Sequence, residues 1–190
     1  MEQDYFSDRT FDRQDYRSQP LPAGEYEQCT FRNCDFSESE LSGIIFLDCT
    51  FSGCNFSLAQ VKGTAFRDVK FQDCKMLGLR FDECNTFNIS FSFERCTLNN
   101  CSFFNLKIKK TIFSACQLRE TDFTNADLNG ASFAQCDLLH ATFSGTVLEQ
   151  ADFRTAEHYQ LDPERNKIKK AKFSVPGVLG LLSKYNIQIS

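Results

Sequence analysis

Tryptophan is absent from this 190-residue chain, histidine and methionine occur twice each, and proline occurs four times. Two histidines are too few for an imidazole-rich metal or acid–base centre. The ten cysteines do not compensate, because no two stand closer than five residues apart, whereas zinc sites pair their ligands two to four residues apart. All four prolines (Pro20, Pro22, Pro163 and Pro176) lie near the ends, and none falls between residues 23 and 162. A long stretch is therefore free of the residue that would break a backbone ladder. No apolar run reaches the roughly 18 residues of a membrane-spanning helix. The opening "MEQDYFSDR" is acidic where an export signal would be basic and then greasy. Neither a membrane protein nor an exported one is expected, and a cytoplasmic location follows.

Hydrophobic residues make up 42% and charged residues 24% of the chain, with a net charge of -4; this is the composition of a folded protein. Its excess is phenylalanine, 21 in all. From Phe6 to Phe91 an aromatic or aliphatic residue recurs every five positions (Phe6, Phe11, Tyr16, Leu21, Tyr26, Phe31 and onward), with Thr86 the one polar member that lacks a ring. After a two-residue slip the comb resumes at Leu98 and runs to Phe153, and Phe173 keeps the second register. Of the 21 phenylalanines 18 are teeth of this comb, the exceptions being Phe87, Phe93 and Phe104. Random placement would put about a fifth of them there, so the repeat governs the fold.

With the tooth as position i, all ten cysteines lie at i-2, a site otherwise held mainly by small or aliphatic residues such as Ala59, Thr64, Val69 and Ala126. A helix would smear steps of five around its axis, whereas an extended chain puts i-2 and i on one face and leaves i+1 and i+2 to turn a corner. Corners of type II need positive φ at their third residue. Six of the nine glycines (Gly43, Gly53, Gly63, Gly78, Gly130 and Gly145) and several asparagines occupy i+2. One pentad cannot bury its own ring. Stability therefore requires coils stacked about 4.8 Å apart around a filled column, with no cavity for a cofactor, and none is expected.

Pentads such as "CDFSE" (34–38), "CNFSL" (54–58), "TDFTN" (121–125) and "ADFRT" (151–155) give the chain its resemblance to the pentapeptide-repeat family, in particular to its Qnr-type, gyrase-interacting members. The resemblance implies an all-β fold: a right-handed, four-sided parallel β-helix with 20 residues per coil. It would cover residues 1–173, most strongly 26–153, with the register slip near 92–97 and a bulge near Phe93 to Arg95. Residues 174–190 would form a C-terminal helix and tail, started by Ser174 and Pro176.

With 20 residues per coil, Cys34, Cys54 and Cys74 share one interior column, as do Cys96, Cys116 and Cys136. Their parallel side chains suit reduced packing thiols better than disulfides, and a reducing cytosol. Asp8, Asp48 and Asp68, with Gln28 between, form an outward acidic column. Residues 1–164 carry 25 acidic and 15 basic residues, whereas 165–190 carry six basic residues and no acid. The expectation is an acidic rod with a basic end, a partial mimic of duplex DNA, and no nucleic-acid binder. Val178, Leu179, Leu181, Leu182 and Tyr185 cap the column's end. By resemblance they also build a two-fold dimer, and the same resemblance implies DNA gyrase or topoisomerase IV as partner, with protection from quinolones. The alternative is a cytosolic scaffold with an unrelated protein partner. His140 and His158 belong to no catalytic motif, so an enzyme is not expected.

Overall fold

The computed structural model describes residues 4–185 and 187–188. Residues 1–3, at the start of the expected β-helix, and 186 and 189–190, in the expected tail, lie outside the described residues. The chain forms an all-parallel β-solenoid of about seven turns. Strands β1 (Asp4–Ser7), β3 (Gly24–Glu27), β5 (Ile45–Leu47) and β7 (Ala65–Arg67) stack into a four-stranded sheet. The second sheet has seven strands: β2 (Thr10–Asp12), β4 (Thr30–Arg32), β6 (Thr50–Ser52), β8 (Val69–Gln72), β9 (Phe91–Glu94), β10 (Ile112–Ser114) and β11 (Ser132–Ala134). The remaining sides are laced by isolated parallel bridges such as Asp35↔Asn55 and Glu40↔Gln60.

Tooth faces tooth from coil to coil: Phe11↔Phe31, Phe31↔Phe51 and Phe51↔Phe71. The column continues through Phe93, Phe113, Phe133 and Phe153 to Phe173, each ring stacked on the last with centroids between 4.7 and 5.5 Å apart. Rings of adjacent columns meet edge-on, as Phe51 and Phe56 do at 79°. Offset stacks along the axis and edge-to-face contacts across it are the two favourable aromatic geometries. The interior realises both at once, which is why phenylalanine dominates and no bulkier indole is needed.

Most corners turn through positive φ at i+2, whether that residue is glycine (Gly43, φ 72), asparagine (Asn33, φ 53) or a residue with no preference for it (Leu58, φ 59; Ala115, φ 52), with Glu83, in the 3-10 turn Phe81–Glu83, and Thr155 among the exceptions. The expected i to i+3 hydrogen bond closes some corners, including Ser39 N–H to Phe36 O at 3.1 Å. After Phe31 and Phe51 it does not form, and there the following thiol reaches back instead: Cys34 Sγ donates to Arg32 O at 3.3 Å and Cys54 Sγ to Ser52 O at 3.6 Å. Position i-1 favours Asp or Asn because its side chain accepts the i+1 N–H, as Asp35 Oδ1 does from Ser37 at 2.9 Å and Asp122 Oδ1 from Thr124 at 2.8 Å.

The slip does not lie at 92–97. Ala65 faces Asn85, an offset of 20, whereas Val69 faces Phe91, an offset of 22, so the two extra residues sit within 86–90. Phe93, not Phe91, is the tooth, and Phe91 occupies an i-2 site. The sequence pattern misplaces this because Phe91 and Phe93 both satisfy a five-residue comb, one in each register. The bulky Phe91 is accommodated because the tooth column above Phe66 has lost its ring: Thr86 is exposed and Ile89 only partly replaces it.

The first coil closes its own end. Asp4, Arg9 and Gln14 stand at i-2, the last two where the next coils carry Cys29 and Cys34, and the Arg9 guanidinium lies 5.0 Å from the Phe6 ring centroid. A cation over an aromatic face tolerates water on its far side, as a terminal coil requires.

Candidate functional site

Three surfaces and one interior array bear on function. The first is the corner that follows β1, β3, β5 and β7. Asp8, Gln28, Asp48 and Asp68 succeed one another along it, all exposed and all at positive φ. Their order follows from the register Ser7↔Glu27 and Glu27↔Leu47, which places the next residue of each coil directly above the last. Beyond Asp68 the column changes character at the bulge: Ser90 Oγ hydrogen-bonds Asp68 Oδ1 at 2.8 Å, and the corner residues further along are Lys110, Gly130, Gln150 and Lys170. The acidic stripe is thus confined to the first four coils.

The second surface is the tail. Ser174 acts as a cap, its Oγ accepting the Gly177 N–H at 3.1 Å. The expected helix is instead a pair of 3-10 turns, Pro176–Leu181 and Ser183–Tyr185. Two glycines among six residues and a short span give too little propensity to nucleate an α-helix. The turn is bound to the last coil by Leu161 N–H to Gly180 O at 3.0 Å, by Lys184 Nζ to Asp162 Oδ1 at 2.7 Å, and by Tyr185 OH to Glu164 Oε1 at 3.2 Å. Lys184 holds the carboxyls of Asp162 and Glu164 below their usual range. The five apolar residues expected to act together divide between two roles. Leu181 packs on the core and Leu182 is half-buried, whereas Val178, Leu179 and Tyr185 are 41%, 52% and 50% exposed. Val175 and Ile187, which the sequence pattern did not single out, join them at 91% and 57%.

A third surface, a cleft of about 450 Å³, lies between the last coil and the tail, with Arg154, His158, Tyr159 and Ser174 in its walls. His158 Nδ1 pairs with Asp137 Oδ1 at 2.8 Å, and Arg119 Nε with Asp137 Oδ2 at 2.6 Å. Partial burial works to raise the Asp137 pKa, but these two hydrogen bonds outweigh it and hold the carboxyl below its ordinary value. Among the described residues no hydrogen bond joins His158 to Ser174, so the pair lacks the base-to-nucleophile contact of acyl-transfer chemistry.

Inside, the offset of 22 merges the two expected triplets of cysteines into one column: Cys34, Cys54, Cys74, Cys96, Cys116 and Cys136. All ten cysteines are free and buried. Each thiol of the column has a carbonyl acceptor, for example Phe51 O for Cys74 at 3.5 Å and Phe71 O for Cys96 at 3.4 Å. The same acceptor position serves Thr64 and Thr121, whose hydroxyls donate to Leu41 O and Leu98 O. A thiol here is a small apolar filler with one weak donor, interchangeable in shape with threonine. Among the described residues no group of three or more His, Cys, Asp or Glu side chains is arranged to hold a metal ion, and no helix is long and apolar enough to cross a membrane.

The model of the pentapeptide repeat region matches residues 25–92 and 89–153. No curated protein matches the chain. Among solved structures it is similar to trypsin-treated QnrB1, a plasmid-mediated fluoroquinolone resistance protein, at 22% identity over 98% of this chain and 97% of that one, with a TM-score of 0.45. It is also similar to HetL, a protein involved in heterocyst differentiation regulation from the cyanobacterium Nostoc sp. strain PCC 7120, at 13% identity over 90% of this chain and 84% of that one, with a TM-score of 0.47.

Proposed function

The chain belongs to the pentapeptide-repeat family, and from that membership we propose that it is a non-enzymatic interaction protein of the cytoplasm, a dimer of acidic rods that binds DNA gyrase or topoisomerase IV in place of DNA and protects it from quinolones. The observation that carries this reading is the exposed column Asp8, Gln28, Asp48 and Asp68 along one corner of the solenoid. Its coil spacing puts three carboxylates along about 14 Å, where duplex DNA presents roughly eight phosphates. The mimicry is partial, and Lys110 and Lys170 further along the same corner restrict it to the N-terminal half of each rod.

The outward apolar face of the tail supports a dimer: Val178 and Leu179 have no cover, and an isologous contact between two tails would bury both faces and set the acidic halves at the far ends. Ten free, buried thiols suit a reducing compartment. The test is DNA supercoiling by purified gyrase with and without a fluoroquinolone. The protein should relieve drug inhibition at micromolar concentration, and no effect there discards the topoisomerase reading. One observation favours the second reading, a cytosolic scaffold with an unrelated protein partner: the only interruption of the rod among the described residues adds just two residues, with no long loop to reach a topoisomerase.

A further inference from the structure

The interruption at 86–90 is a built feature. Phe87 N–H donates to Asn85 Oδ1 at 2.9 Å, Ser90 N–H donates to Phe66 O at 3.0 Å, and Ser90 Oγ is held by Asp68, so both feet of the bulge are fixed. At its top stands Phe87, 67% exposed, more than any other described aromatic residue. Phe91 and Ile89 fill the space below it, so the core has no room for this ring. The ring is preorganised: the Arg67 guanidinium carbon lies 5.5 Å from its centroid, and Arg67 Nε is buried without a hydrogen-bond partner. Beside the ring is a cavity of about 480 Å³ walled by Asn85, Asn88, Asn105 and Lys107.

Aromatic and arginine side chains held rigid at a surface are the usual centres of binding energy at protein interfaces. Two cations stand at this spot, Arg67 against the ring and Lys107 in the cavity wall, and neither makes a salt bridge among the described residues. A few carboxylates suffice to pair with these two cations, whereas the acidic column that ends at Asp68 repels the continuous negative charge of a nucleic-acid backbone. We infer that this bulge docks a protein partner, Phe87 entering an apolar cleft whose carboxylate rim meets Arg67 and Lys107.

The inference rests on the proposed topoisomerase interaction for the identity of that partner, and its test separates the two. Binding of purified gyrase holoenzyme is measured for the full-length chain and for Phe87→Ala and Lys107→Glu, with melting temperature and solution mass as controls. Both variants should keep their fold and mass and weaken binding by about tenfold or more, chiefly through faster dissociation. If the unmodified protein binds and both variants match it, the docking inference falls and the interaction stands. If the unmodified protein does not bind, both fall. Binding of a fluorescent single-stranded oligonucleotide that is lost in Phe87→Ala also overturns it, by making the ring a platform for base stacking.

Discussion

The carbonyl oxygen of Tyr159 fills the space that a β-carbon on Gly180 would need, and the Tyr159 phenol does the same to Gly177. The Tyr159 residue is therefore keyed into two glycines of the first 3-10 turn. Gly180→Ala should loosen this key, costing about 1–3 kcal/mol as an overpacking strain. The measurement is limited trypsin digestion: cleavage after Lys184 should accelerate while the body stays protected. Unchanged cleavage would show that the tail is held by its ion pairs alone.

At Ala115 the usual effect of glycine should reverse. Its φ of 52 lies in the left-handed region and its side chain is exposed. Ala115→Gly removes a conformational strain of roughly 1–2 kcal/mol and should raise the melting temperature despite the added freedom of the unfolded chain. A fall in melting temperature would mean that the corner tolerates a β-carbon without cost.

Alkaline pH should unfold the protein through its thiols. Burial pushes the Cys49 and Cys101 thiols up to about 12 from their ordinary value of 9.0. A raised folded pKa gives stability that is complete below pH 9 and is lost as pH rises from there toward 12, because only the unfolded chain releases the protons. Burial of Tyr16 and Tyr26 raises their pKa values too and extends the loss above pH 10. Urea unfolding at pH 8, 9.5 and 10.5 should show a progressive decline, smaller in Cys49→Ala. The native protein should meanwhile resist a thiol reagent that titrates all ten cysteines once unfolded.

Phe91 and Phe87 should behave oppositely. Phe91 is 6% exposed inside the rod, so Phe91→Ala should cost about 3–5 kcal/mol. Phe87→Ala should stay within about 0.5 kcal/mol. Equal effects in denaturant melts would contradict the placement of the slip at 86–90.

Leu179→Asp and Leu181→Asp should separate assembly from capping. Leu179 is 52% exposed and Leu181 packs on the core. In light scattering Leu179→Asp should give a folded monomer, whereas Leu181→Asp should lower the melting temperature as well. A dimer that survives Leu179→Asp removes the tail-mediated interface.

The column of rings was legible because a period of five leaves a mark at every tooth, and the interior place of the ten thiols followed from their constant i-2 spacing. The slip was misread because Phe91 and Phe93 are two residues apart, and a register shift of two turns one into the other without changing the pattern. The tail was misread for a different reason. Its apolar residues announce burial, but only the fit of Tyr159 against Gly177 and Gly180 determines that Leu181 turns inward while Val178 and Leu179 face out. The exposed Phe87 was visible as an exception to the comb; its pairing with Arg67 brings together residues 20 positions apart and needed the coil offset to be seen.

Because each coil lays its hydrogen bonds only on its immediate neighbours, the ribosome delivers the rod in its order of assembly, the Arg9-closed coil first and the Tyr159 clasp last. Until that clasp arrives, the growing tip is a bare platform of phenylalanine rings. Slow translation through the final coils thus lengthens the exposure of a sticky surface, and a chain stopped short of Gly180 keeps it permanently.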